Sequence, residues 1–142
     1  MPEVVSRHFA STHSMSDETG ETKGVFEEAM IAMERYGQAV YDDVGLLQVR
    51  ITFRLVKEKR ELVGTYAPEC LEFLKKLERS SRNRDDHEAL SKLRSMLDNI
   101  VEEKLDNVDP DLGLKIVDRL SGRRKKVLTE ARDGYARIFR RY

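Results

Sequence analysis

The stretch Asp85–Leu105, DDHEALSKLRSMLDNIVEEKL, has the most regular apolar pattern in the chain. Its apolar side chains recur every three or four residues, which is the period of one face of an α-helix. They are Leu90, Leu93, Leu97, Ile100, Val101 and Leu105. Asp85 followed by Glu88 resembles a capping box with Asp in place of Ser or Thr, so the sequence predicts a helix that begins near Asp85.

A second helix is predicted just before this one. Pro68 suits the first turn of a helix, where its missing N–H is not needed. An apolar stripe then runs to about Arg79 and consists of Leu71, Phe73, Leu74 and Leu77. Since residues 80–84 form a short polar connection, we expect the two helices to pack as an antiparallel pair.

The segment 46–56 fits two interpretations. Alternation of apolar and polar residues from Val49 to Leu55 is typical of a half-buried strand. The helical interpretation uses the 3-and-4 spacing of Leu46, Val49, Phe53, Val56 and Val63. We favour a helix because a lone strand in a helical chain has no partner to bond with, and even an isolated hairpin is only marginally stable.

Two further helices complete the predicted architecture. The first covers about Gly24–Tyr41 and ends at a break around Asp42–Gly45. The last begins after Asp109, which caps it ahead of Pro110, and continues to Tyr142 with a candidate kink at Ser121–Gly122. Its predicted apolar stripe is Val117, Leu120, Val127, Ala131, Tyr135, Ile138 and Tyr142, with Arg124 standing in one slot.

The predicted fold class is therefore all-α. We expect a bundle of four to five helices in one domain over residues 23–142, preceded by a disordered lead over residues 1–22 that is rich in Ser and Thr. Two alternatives for this lead stay open. It faintly resembles a mitochondrial presequence, and Met15 instead of Met1 could be the natural start.

Composition restricts the class of protein. Charged residues make up 37% of the chain, compared with about 25% in an average protein, which indicates helices with strongly ionised outer faces. Apolar runs are too short to span a bilayer. Cys70 is the single cysteine and the chain has no N-glycosylation sequon, so an intracellular, cytoplasmic location is expected.

Charge is strongly segregated along the chain. From Arg119 onward there are nine basic and two acidic residues, a net charge of +7, and the neutral total leaves −7 on residues 1–118. Five of these cations fall on one side of the predicted last helix, opposite its apolar stripe, and we call them the basic ridge: Arg119, Arg123, Lys126, Arg137 and Arg141. The ridge predicts binding to nucleic acid or to an acidic protein surface.

A short motif offers an enzymatic alternative. The run Arg82-Asn83-Arg84-Asp85-Asp86-His87 resembles the Arg-x4-His signature of the HEPN ribonuclease families, which also tend to carry Asn directly after the Arg. The resemblance implies an RNA-cleaving site at Arg82, Asn83 and His87. There the cation would stabilise the scissile phosphate and the imidazole would handle the proton.

A second resemblance concerns residues 54–108. Their rhythm is similar to that of the helical domain of the GINS replication proteins: a helix rich in Arg, Lys and Glu, a tyrosine-containing turn at Thr65–Leu71, and a third helix ending in charged residues. This resemblance implies a non-enzymatic scaffold subunit at the replication fork.

Signals for other chemistry are weak in the sequence. No His, Cys and carboxylate spacing indicates a zinc site, and the scattered glycines form no phosphate-binding loop, so neither a metal nor a cofactor is expected. Cys70 lies near a predicted helix start, but a packed thiol is the more common role for such a residue. The sequence thus predicts an interaction module without catalysis, in a homo- or hetero-oligomer or as a subunit of a larger assembly.

Overall fold

The computed structural model describes the backbone of residues 18–141 and the side chains of residues 24–141. Four α-helices follow one another: α1 (Glu18–Glu58), α2 (Val63–Ser80), α3 (Arg84–Val101) and α4 (Pro110–Arg141). Short 3-10 turns at Arg60–Leu62 and Leu105–Asn107 precede α2 and α4. This part of the chain contains no strand, so the predicted all-α helical bundle is confirmed.

The chain divides into two compact units. Of the described residues, unit 1 combines residues 18–40 with residues 126–141, and unit 2 covers residues 41–125. Both α1 and α4 contribute residues to each unit. Of the predicted disordered lead, residues 1–17 lie outside the described residues, whereas α1 begins at Glu18, before the predicted domain start at residue 23.

The predicted break at Asp42–Gly45 is wrong, because α1 continues through it as a single helix. Asp42, with only 9% of its side chain exposed, accepts a hydrogen bond from Arg124 Nη1 of α4 at 3.3 Å. Gly45 is buried against the ring of Phe73 in α2. The ring occupies the position where a Cβ on Gly45 would lie. The polar and glycine residues that read as a turn are therefore packing positions inside unit 2.

The ambiguous segment 46–56 is helical. Leu46, Val49, Phe53 and Val56 are at most 1% exposed and form the central stripe of the unit 2 core. The alternating residue Ile51, in contrast, is 48% exposed. The strand interpretation is wrong because alternating apolar residues belong to different faces of one helix.

The antiparallel pair formed by α2 and α3 is present as predicted, but both helices start earlier than expected. Because α2 begins at Val63, Pro68 lies inside the helix and not in its first turn. Asn83, not Asp85, is the N-cap of α3: its side-chain oxygen accepts hydrogen bonds from the N–H groups of Asp85 (2.9 Å) and Asp86 (3.4 Å).

Helix α4 starts as expected and is continuous. Asp109 Oδ1 accepts a hydrogen bond from Leu112 N at 3.2 Å, which is a capping contact, and Pro110 is the first helical residue. The helix passes through Ser121–Gly122 without a division. Within unit 2, the ion pairs Lys57–Asp111 (2.7 Å) and Arg50–Asp118 (3.5 Å) show that α4 runs antiparallel to α1.

Unit 1 pairs one segment of α1 with one segment of α4. Its aromatic side chains contact one another, with ring centroids 5.6 Å apart for Tyr36 and Tyr135 and 6.0 Å apart for Tyr135 and Phe139. Among its described residues, Ala39 is the one buried apolar residue. Val127, predicted for the apolar stripe, is 49% exposed, and Tyr142 lies outside the described residues.

None of the helices within residues 18–141 is long and apolar enough to cross a membrane.

The Gly45–Phe73 contact leads to a stability prediction. Gly45→Ala should lower the free energy of unfolding by about 1–3 kcal/mol, because the new methyl group overlaps a buried ring that has little room to move. Gly122→Ala is the matched control in the same unit. No atom lies within 4 Å of its Cβ position, so alanine should stabilise the helix by about 1 kcal/mol.

Urea unfolding followed by circular dichroism measures both changes. Equal effects of the two substitutions would contradict the close packing at Gly45.

Candidate functional site

All five residues of the basic ridge lie on α4 and are exposed. Arg119 and Arg123 belong to unit 2, whereas Lys126, Arg137 and Arg141 belong to unit 1. Each group therefore has its own surroundings.

The ridge is interrupted by carboxylates. At about 100° per residue, Glu130 falls within the angular sector of the five cations on α4, and Asp133 lies about 20° beyond its edge. Asp133 also pairs with Arg132 at 3.6 Å. The helical-wheel pattern of the cations was visible in the sequence, but the two acidic residues on the same side reduce the positive charge of the surface.

In unit 1, the ridge residues border a shallow groove between α1 and α4. Arg137 and Arg141 line it together with Glu28 and Glu130. Arg141 pairs with Glu28 at 3.6 Å. Arg35 lines the groove as well, so three arginines and two glutamates surround it and leave a net charge of only +1.

Two arginines of unit 2 are engaged in ion pairs within the bundle. Arg123 Nη1 donates to Asp86 Oδ1 at 2.5 Å, and the Asp86 side chain is only 11% exposed. Arg124, which the sequence placed in an apolar slot, is 22% exposed and pairs with the buried Asp42. These two guanidinium groups compensate carboxylates that the fold has largely removed from water.

The role of Arg123 can be separated from that of Arg119, one turn earlier on the same exposed side. Arg123→Gln should lower the free energy of unfolding by about 1–2 kcal/mol, because Asp86 loses its cation while remaining mostly buried. Arg119→Gln should change it by less than about 0.5 kcal/mol. Chemical unfolding of both variants checks this difference, and the prediction fails if Arg123→Gln is as neutral as Arg119→Gln.

A second groove, between α3 and α4 of unit 2, is lined by cations from both helices. Lys92 of α3 and Lys115 and Arg119 of α4 line a depression of about 520 Å³. Within residues 18–141, none of these three side chains makes an ion pair or hydrogen bond. We call Lys92, Lys115 and Arg119 the groove cations.

The groove also has an apolar floor and acidic residues in its lining. Ala89 and Ile116 form a buried apolar floor, which Leu112 extends with 43% of its surface exposed. Asp85 and Glu88 line the groove as well, and so does Arg123, which is paired with Asp86. The depression therefore offers an apolar strip, three available cations and two carboxylates.

One of the three groove cations was predictable from the sequence. Arg119 was part of the predicted ridge, and Lys115 was detectable because it precedes Arg119 by one helical turn. Lys92 lies on a different helix, and only the packing of α3 against α4 brings it to the same groove.

The structure gives the HEPN-like residues local structural contacts. Asn83 caps α3, as described above, and His87 Nε2 lies 2.7 Å from the carbonyl oxygen of Ser81. A carbonyl oxygen can only accept, so Nε2 carries the proton in this hydrogen bond. Arg82 is exposed. Two of the three motif residues thus stabilise the α2–α3 connection, and RNA cleavage by them stays a prediction.

Cys70 is a packed thiol. It is buried, and its Sγ lies 3.2 Å from Thr52 Oγ1, which itself donates to the carbonyl oxygen of Gln48 at 2.9 Å. Burial raises the pKa of the Cys70 thiol above its ordinary value of 9.0, a smaller contribution from Thr52 lowers the pKa, and the charge of Glu69 raises it. Within residues 18–141, no group of three His, Cys, Asp or Glu side chains could hold a metal ion.

The raised pKa predicts slow alkylation of Cys70. The reactive thiolate is less populated in the folded protein than in the unfolded chain at any pH below the folded pKa. Iodoacetamide should therefore modify Cys70 more slowly in buffer than in denaturant at the same pH, with the difference narrowing as the pH rises past about 9. Mass spectrometry of quenched samples measures both rates, and equal rates would contradict the burial of this thiol.

Comparison with known proteins finds no family model, curated protein or solved structure that matches this chain. The resemblances to HEPN ribonucleases and GINS proteins therefore remain predictions from short patterns.

Proposed function

We propose that this chain is a non-catalytic interaction module of a larger assembly that binds an acidic segment of a partner protein in the groove between α3 and α4. The observation that carries the proposal is the group of three groove cations without intramolecular partners, arranged around an apolar floor.

Availability distinguishes these cations from Arg123 and Arg124, the neighbouring arginines of α4 in the same unit. Arg123 and Arg124 could engage a ligand only by giving up a largely buried carboxylate, which is costly. Lys92, Lys115 and Arg119 lose no such contact when they bind. A partner carboxylate therefore gains their attraction without first breaking an ion pair.

The surroundings favour a protein ligand over nucleic acid. A phosphate backbone presents closely spaced negative charges and binds best to an uninterrupted positive surface. Here Asp85 and Glu88 share the groove, and Glu130 and Asp133 interrupt the ridge along α4. An apolar strip with a charged rim is instead the usual composition of a protein–protein interface.

The groove indicates what the partner segment should look like. A depression between two antiparallel helices accepts an amphipathic helix that presents apolar side chains at a spacing of three and four residues. Its apolar residues would cover Leu112 and Ile116, and its Asp or Glu residues would face the groove cations. Basic residues near its end would suit Asp85 and Glu88.

A direct test measures binding of a fluorescein-labelled amphipathic peptide with Leu and Glu on one helical face. The wild-type protein should bind it, and the variant Lys92→Gln/Lys115→Gln/Arg119→Gln should bind about 10- to 100-fold more weakly, which corresponds to about 0.5–1 kcal/mol for each lost ion pair. Fluorescence anisotropy gives the dissociation constants.

The matched control removes three exposed cations elsewhere on α4, through Lys125→Gln/Lys126→Gln/Arg137→Gln, and should leave binding nearly unchanged. Equal losses in both triple variants would mean that the peptide responds to net charge alone. Tighter binding of a labelled single-stranded RNA than of the peptide would instead support the alternative that the basic ridge binds nucleic acid.

A further inference from the structure

Helix α1 has a second apolar face, and the bundle leaves it uncovered. Val44, Leu47 and Ile51 are 48%, 52% and 48% exposed, while their neighbours Leu46 and Val49 are fully buried in the core. We call Val44, Leu47 and Ile51 the α1 seam. All three belong to unit 2.

The spacing of the seam is that of a coiled coil. Its residues follow one another at intervals of three and four, the pattern that keeps one side of a helix facing a partner helix. In the sequence of α1 the same alternation of intervals precedes the seam, at Phe26, Met30, Met33, Gly37 and Val40. A pattern of this length is typical of helix pairing and exceeds what scattered surface residues produce.

Further apolar side chains of unit 2 lie beside the seam. Leu62 and Tyr66 line a depression together with Ile51 and Gln48, and Tyr41 lines another with Val44. Leu62, Tyr66 and Tyr41 are 43%, 51% and 52% exposed. With roughly 75–100 Å² exposed on each of six half-exposed side chains, the patch measures on the order of 500 Å², near the upper range for the largest patch of a monomeric protein.

This area is just large enough for a dimer interface. Two copies of the patch would bury on the order of 1,000 Å² together, which is about the lower limit for a specific protein–protein interface. A symmetric dimer reaches this limit with one surface, because the same patch is contributed by both copies.

Charges beside the seam determine the direction of pairing. Asp43 and Arg50 flank it on one side, and Tyr41 and Gln48 flank it on the other. When two α1 segments run antiparallel with Val44 against Leu47 of the second copy, Asp43 lies opposite Arg50 of the second copy, and the symmetry repeats this pair. Parallel pairing would place Asp43 opposite Gln48 and would gain no opposite-charge contact.

The two charged residues are available for this contact. Asp43 is half-buried and makes no ion pair within the part of the chain that the structure describes. Arg50 is half-exposed and touches Asp118 at 3.5 Å through Nε. Its guanidinium group has further N–H donors, so it can hold Asp118 and a second carboxylate at the same time.

We propose that a second copy of this chain covers the α1 seam, and that the two α1 helices pair antiparallel around a twofold axis between Val44 and Leu47. The proposal is independent of the groove between α3 and α4, which lies on different helices.

Light scattering after size-exclusion chromatography and sedimentation equilibrium test the proposal with the full chain. The wild type should have twice the monomer mass. Leu47→Glu should raise the dissociation constant of the dimer by on the order of 100-fold, because the substitution occurs twice in a symmetric interface. Val127→Glu is the matched control: Val127 is 49% exposed on α4, outside the seam, and its replacement should leave the mass unchanged. Circular dichroism verifies that the variants keep their helicity.

Charge exchange tests the antiparallel direction. Asp43→Arg alone places two arginines opposite each other, and Arg50→Asp alone places two aspartates opposite each other, so each variant should dimerise more weakly than the wild type. Mixing the two variants restores opposite charges at both symmetric positions. The mixture should therefore form a heterodimer more readily than either variant forms a homodimer.

Three results would overturn the proposal. A wild type that stays monomeric at all accessible concentrations would mean that a second copy does not cover the seam. A dimer that persists unchanged in Leu47→Glu would use another surface. A mixture of the charge variants that associates no better than its components would exclude the antiparallel arrangement.

Discussion

Unit 2 depends on two contacts in which a phenylalanine ring lies directly against a glycine of a neighbouring helix. Phe73 of α2 fills the space beside Gly45 of α1, and Phe53 of α1 fills the space beside Gly113 of α4. The ring of Phe53 is fully buried and that of Phe73 nearly so. Because any side chain at either glycine would occupy the volume of a ring, these contacts set how closely α1 approaches both neighbours.

The same helix explains why the sequence was ambiguous between strand and helix over residues 46–56. One apolar face of α1, with Val49 and Phe53, enters the core, and another, with Leu47 and Ile51, remains exposed. Along the sequence, residues of these two faces alternate with polar residues, and this alternation imitates the period of a strand. The fold class and the pairing of α2 with α3 were predictable because each of these two helices carries a single apolar stripe, which is buried. The continuity of α1 was not predictable. Asp42 and Gly45 suggest a turn in the sequence, and their place inside a helix is explained only by their contacts with Arg124 and Phe73, which are distant in sequence.

The candidate site was predictable to a smaller degree. Counting charges located the cations of α4, but it could not distinguish Arg123, which compensates the buried Asp86, from Arg119, which makes no such pair. That difference arises from packing between α3 and α4, as does the addition of Lys92 to the groove. The sequence thus indicated a charged helix, and the fold determines which of its charged side chains are available to a partner.

Helical secondary structure across residues 41–56 tests the central claim most directly, because the core, the exposed seam and the explanation of the ambiguous segment all assume one continuous helix there. Backbone chemical shifts and amide hydrogen exchange by NMR measure it residue by residue. The account predicts helical Cα shifts from Tyr41 to Val56 without interruption, and protection that includes Gly45 and is strongest at Val49 and Phe53. Extended-type shifts between Val49 and Leu55, or rapid exchange confined to Asp43–Leu46, would contradict it.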